Sequence, residues 1–158
     1  MNISTKWIVL AAAIVAGSMY CGTARAQDAA AQVEARQAVM KAQGKDAGAI
    51  KAYIDGKSDL AAAQAAGADL VTQVAKIPTL FPKGTSMADL PGKSYAKPAI
   101  WTEMDKFNAG AKVAQTKAEA LNAALKGGDK DAITAAFGDM GKNGSGGCHE
   151  AYREKKPS

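Results

Sequence analysis

Apolar residues recur three and four positions apart along most of this alanine-rich chain, the period of helices buried on one face. The pattern predicts four helical segments. The first, from Ala29 to Ile54, sets Val33, Met40, Ala47 and Ile54 on a seven-residue spacing, with Gln37, Gly44 and Ile50 or Lys51 between them. The second runs from Asp59, an N-cap residue type, to Ile77, with Leu60, Ala63, Gly67, Leu70, Val74 and Ile77 on one stripe; Pro78 stops it. The third opens near Pro98 and has the cleanest stripe: Ile100, Met104, Phe107, Ala111, Ala114, Ala118, Leu121 and Leu125. Gly127-Gly128-Asp129 then supplies a stop and a fresh N-cap in three residues. The fourth segment, with Ile133, Phe137 and Met140, therefore returns antiparallel to the third and reaches Tyr152.

Between Pro78 and Ala99, Pro82, Gly84, Pro91, Gly92 and Pro98 exclude a helix, so this stretch is one long connection. Leu80, Phe81 and Leu90 predict that parts of it pack inward and are ordered. No alternating run suggests a sheet. The expected fold is all-α: an antiparallel four-helix bundle with one long crossover loop between its second and third helices. Its stripes are rich in alanine and poor in leucine and phenylalanine, which lets helices approach closely but leaves little volume to fill the middle. Something other than side chains is expected there.

The start of the chain reads as a secretory signal. Lys6 is the positive region, Trp7 to Tyr20 is mostly apolar, and Ala24-Arg25-Ala26 offers a small-x-small cleavage site. Residues 1–26 are expected to be removed, leaving residues 27–158 as one domain in the periplasm. Fourteen apolar residues fall short of the ~20 that cross a bilayer, so no membrane association is expected after cleavage. A lipid anchor on Cys21 is disfavoured by the bulky Tyr20 before it. The whole-chain charge is +5; without Lys6 and Arg25 it falls to a mild +3. The lysines are interleaved with acids, with no basic stripe carrying aromatic platforms, which argues against nucleic acid as a partner.

Beyond the signal, Cys148 and His149 are the single cysteine and single histidine, and they are adjacent. A thiol followed at once by an imidazole is the second half of the C-x-x-C-H haem-attachment signature, in which the thiol bonds to a porphyrin vinyl group and the imidazole ligates iron. Ser145 stands where the first thiol belongs. One histidine and no conspicuous carboxylate pair leave acid–base catalysis without a candidate residue, so the chain is not expected to be an enzyme.

Arg36-Gln37 followed by Met40, Leu80-Phe81-Pro82, Pro98-Ala99-Ile100-Trp101, Ala136-Phe137-Gly138 and Cys148-His149-Glu150-Ala151-Tyr152-Arg153 together resemble, in order and spacing, the cytochrome c' family. The resemblance implies haem c, tethered here by one thioether through Cys148, with His149 as the only protein ligand to a five-coordinate iron. It matches Arg36 and Gln37 to positions near the haem propionates, Met40 to the residue over the vacant face, Phe81 to an aromatic lining that pocket and Arg153 to a proximal arginine. The implied function is one-electron transfer, reversible binding of nitric oxide or carbon monoxide, or both, in a crowded apolar pocket without hydrogen-bond donors. A homodimer through the first two helices and an unidentified redox partner are also implied.

This chain departs from the family in two places: Ser145 replaces a thiol, and one extra residue lies between Gly141 and Cys148. An inserted residue turns a helix by about 100° unless a π-bulge or frayed turn absorbs it. The segment can yield, since Gly138, Gly141, Gly144, Gly146 and Gly147 each cost a helix interior roughly 0.8 to 1.0 kcal/mol against alanine. Two other readings stay open at this point. One is a haem-free bundle acting as a binding or scaffold protein; the other is a small-metal site on His149, Cys148 and Met40, for which the donors are few.

Overall fold

The computed structural model describes residues 17–155, with side chains from Asp28 onward. The expected export signal therefore lies largely outside the described residues. Helix α1 spans Gly17–Ile54 and α2 spans Leu60–Ala75. After a 3-10 turn at Ile77–Thr79 and the crossover come α3 (Ala99–Thr102), α4 (Met104–Gly127) and α5 (Lys130–Asp139). A π-helical stretch, Met140–Gly146, then leads into α6 (Gly147–Tyr152). Helix α1 packs on α2, α2 on α4, and α4 on α5 and the π-helical stretch, so four rods form the bundle. The described residues hold no strand, only an isolated antiparallel bridge between Ala96 and Arg153.

The turns follow the predicted chemistry. Asp59 caps α2 by accepting the Ala62 N–H at 2.8 Å. Gly128 takes the left-handed conformation, φ 77°, that lets α4 end, and Asp129 accepts from the Asp131 and Ala132 N–H groups to start α5. Along the third rod every expected stripe residue is buried except Met104, which is half-buried.

Three expectations need correction. Helix α1 runs through the described residues from Gly17, upstream of the start expected at Ala29. Its buried edge is not a strict seven-residue seam: Val33, Arg36, Asp46 and Ile50 are buried, whereas Gly44 and Lys51 are exposed. A straight helix of 3.6 residues per turn drifts away from a seven-residue repeat, and the drift carries the polar Arg36 and Asp46 inward. The third rod is also broken. Glu103, at φ −125° and ψ 39°, separates α3 from α4, and Trp101 on α3 donates its indole N–H to the Phe81 and Pro82 carbonyls at 3.1 Å each.

The seven-residue π-helical stretch, Met140–Gly146, overlaps the interval between Gly141 and Cys148 where the extra residue was expected. Its wider turns take up an inserted residue without rotating the downstream Cys148 and His149 by a full helical step. Asp139 pins its start, accepting from Lys117 Nζ at 2.7 Å and from the Asn143 side-chain amide at 2.6 Å.

Candidate cofactor site

At the crossover end of the bundle, α1, the end of α2, the start of α4 and the π-α6 segment leave a cavity of about 470 Å³. That is within the range of small-molecule and cofactor pockets. Its walls are mostly apolar, and it exists because α4 presents Ala111 and Ala114 where larger side chains would close it. All seven residues singled out from the sequence line it: Arg36, Gln37, Met40, Phe81, Cys148, His149 and Arg153. Ser145 lines it too.

Arg36 organises one edge. Only 5% of its surface is exposed, and its guanidinium donates to Thr85 Oγ1 at 3.2 Å, the Thr85 carbonyl at 3.1 Å, Ser94 Oγ at 3.0 Å and the Leu80 carbonyl at 3.4 Å. It also lies 4.6 Å from the Phe81 ring centroid. None of these partners is an anion, and burial lowers its pKa from the ordinary arginine value. One step along α1, Gln37 donates to the Lys93 carbonyl at 2.7 Å. The crossover is thus strapped to α1 by two adjacent side chains.

The other edge is tied in as well. Lys97 N–H donates to the Tyr152 carbonyl at 2.9 Å, and Glu154 N–H to the Tyr95 carbonyl at 2.8 Å, joining the end of α6 to the crossover. Phe81, Phe107 and Tyr152 stack edge to face with centroids 4.8 and 5.4 Å apart, closing the end of the cavity.

Cys148 and His149 are both half-buried in α6. Burial pushes the thiol pKa up. Burial first, and the Arg153 charge second, push the imidazole pKa down, so His149 stays neutral with a lone pair to offer at pH 7. Gly110 on α4 faces the sulfur: a Cβ there would sit 3.0 Å from Cys148 Sγ.

One thiol and one imidazole, even with the Met40 thioether, make a poor site for a bare ion. They suffice for a macrocycle that brings its own equatorial donors, and the mostly apolar cavity with a fixed cation at its rim suits such a group. The family model for cytochrome C' matches residues 31–153. The chain belongs to the cytochrome c' family. Proteins of this family carry covalently attached haem c. A curated relative, cytochrome c-556 of Agrobacterium fabrum, is 36% identical over 138 residues, covering 86% of this chain and 90% of its own length. A solved cytochrome c' with an unusual ligand-controlled dimer dissociation superposes with a TM-score of 0.74 at 29% identity, covering 80% of this chain and 97% of its own. A nitric oxide complex of a variant of cytochrome c' from Alcaligenes xylosoxidans gives a TM-score of 0.69 at 30% identity, covering 78% and 94%.

Sequence reasoning missed Thr85 and Ser94, the partners that hold Arg36, because loop hydroxyls carry no periodic signal. It also missed Gly110, which reads as an ordinary helix glycine, and Gln43, a cavity-lining amide. The signal for Gln43 was present: it follows Met40 by three residues and shares its face. The expectation of a pocket free of hydrogen-bond donors is corrected by that residue.

Proposed function

We propose that this chain is a periplasmic c-type haem protein, tethered by one thioether through Cys148 and ligated only by His149, that serves one-electron transfer, reversible binding of nitric oxide or carbon monoxide, or both. The observation that carries this reading is that Cys148, His149, Met40, Phe81 and Arg36, brought from separate stretches of chain, line one cavity. When bound, haem would supply iron with two accessible oxidation states and the capacity to bind a diatomic gas.

The protein's own residues do the rest. His149 offers the neutral imidazole, and Arg153 favours that form by opposing a second positive charge. Arg36 and Gln37 hold the crossover in place, and the Arg36 charge, with no anionic partner among its contacts, would offset the charge of the haem propionates. Met40 and Phe81 give the cavity apolar surface, and the unbranched Met40 can swing aside for a small ligand. The protein binds and transfers rather than catalyses. Two copies pair through α1 and α2, in line with the relative whose dimer dissociates under ligand control. Ser145 favours one second reading, a haem-free bundle retained as a binding or scaffold protein, because a hydroxyl does not add to a vinyl group as a thiolate does.

The visible spectrum of the chain, produced in a host that matures c-type cytochromes, tests the proposal. Haem absorption is expected, with the reduced pyridine complex shifted to the red of a two-thioether haem because one vinyl group stays conjugated. Addition of carbon monoxide should then change the ferrous spectrum. A low-spin spectrum that carbon monoxide leaves unaltered contradicts the open axial position; a colourless protein supports the haem-free reading.

A further inference from the structure

We propose that the Gln43 carboxamide is a hydrogen-bond donor to a diatomic ligand held in the cavity, so that this site favours ligands with an accepting outer atom over what apolar walls alone would allow. The inference rests on the haem reading above and adds a ligand-contacting residue to it. Gln43 lies seven residues after Arg36 and three after Met40, on the cavity-facing side of α1, and lines the cavity with them.

On that face the cavity-lining Arg36 and Gln37 are already engaged, while Asp46, which does not line the cavity, has a buried Oδ2 without a partner. Arg36 is taken up by Thr85, Ser94 and Leu80, and Gln37 by the Lys93 carbonyl. The Gln43 amide nitrogen is different: it is buried and has no hydrogen-bond partner. A buried amide left unpaired opposes folding, and an apolar side chain would fill the same place without that cost. The two ends of a carboxamide exchange places by a half-turn of its last torsion, so this unpaired group can turn an N–H toward the cavity. An acceptor arriving in the cavity is then a partner for the Gln43 amide nitrogen, which is hydrogen-bonded neither to Asp46 nor to any other group among the described residues.

The test uses the haem-loaded full chain with carbon monoxide as probe, comparing wild type with Gln43→Leu and the near-isosteric Gln43→Met. Gln115→Leu is the control, because Gln115 on α4 also has a buried unpaired amide atom but does not line the cavity. Donation to the outer oxygen weakens the C–O bond, so both Gln43 variants should raise the carbon monoxide stretching frequency. They should also speed its dissociation about fivefold, the worth of one net neutral hydrogen bond. The haem-free Gln43 variants should unfold at a higher temperature than wild type, since an unpaired amide is removed. The control should leave frequency and dissociation rate unchanged. A loaded protein whose frequency and rate are the same with and without Gln43, or are moved equally by Gln115→Leu, overturns the proposal alone. A protein with no haem absorption overturns the haem reading and this proposal with it.

Discussion

The two ends of the bundle are built on the same helical period and reach opposite results. At the α4–α5 turn, Ile50, Leu121, Leu125 and Ile133 are fully buried and close the interior. Two to three turns back along α4, the same stripe presents Ala111 and Ala114, and the space beside them remains open as the cavity. Protein interiors normally pack to the density of organic crystals, so a gap of this size framed by fixed polar contacts reflects side-chain choice rather than loose packing. Periodicity fixes where each helix faces. Side-chain volume decides which end is core and which is site.

Substitutions at the two ends should separate these roles. The largest effect is expected for Leu121→Ala in the closed end, a loss of about 2–5 kcal/mol in chemical denaturation, equal with and without haem. A loss confined to the haem-free protein would break the distinction between the ends. Next is Arg36→Met, which strands Thr85 and Ser94; about 1–3 kcal/mol is expected, with faster amide exchange in residues 85–96 and none near the α4–α5 turn. Uniform acceleration would mean that Arg36 is not specific to the open end. Gly110→Ala should raise haem-free stability by about 1 kcal/mol through helix propensity, yet lower the yield of covalently attached haem by crowding Cys148. Undiminished yield would show that the close approach to Cys148 Sγ is immaterial.

The smallest effect is a pH dependence at the start of the π-helical stretch. Lys117 first, and Asn143 second, hold the Asp139 carboxyl below the usual aspartate range. Its folded pKa is depressed, so its contribution is present above the unfolded value of about 3.9 and is lost as pH falls through the lower folded value. Asp139→Asn should therefore lower stability slightly at neutral pH, where that contribution is present, and flatten the acid limb of a stability profile below about pH 4. An unchanged acid limb would remove Asp139 as the anchor.

Much of the fold was legible because the helices and their stops are local signals: the α4 stripe, Asp59, and Gly128-Asp129 all behave as their residue types dictate. The break at Glu103 was not, because no glycine or proline marks it; Trp101 turns aside to bond the crossover, a contact from 19 to 20 residues away. The inward drift of Arg36 and Asp46 was hidden by treating α1 as a strict seven-residue repeat. For the site, Cys148-His149 announced the chemistry, and the π-helical stretch was readable as an extra residue among glycines. The environment of Arg36 was not, since Thr85 and Ser94 are 49 and 58 residues from it in sequence.

The central claim, a macrocycle tethered by one sulfur in the cavity beside His149, is tested most directly by intact mass under denaturing conditions after production with c-type maturation. The expected mass is that of the processed chain plus one haem, the addition being lost in Cys148→Ala. A wild-type mass with no added haem, or an adduct that survives Cys148→Ala, would contradict it.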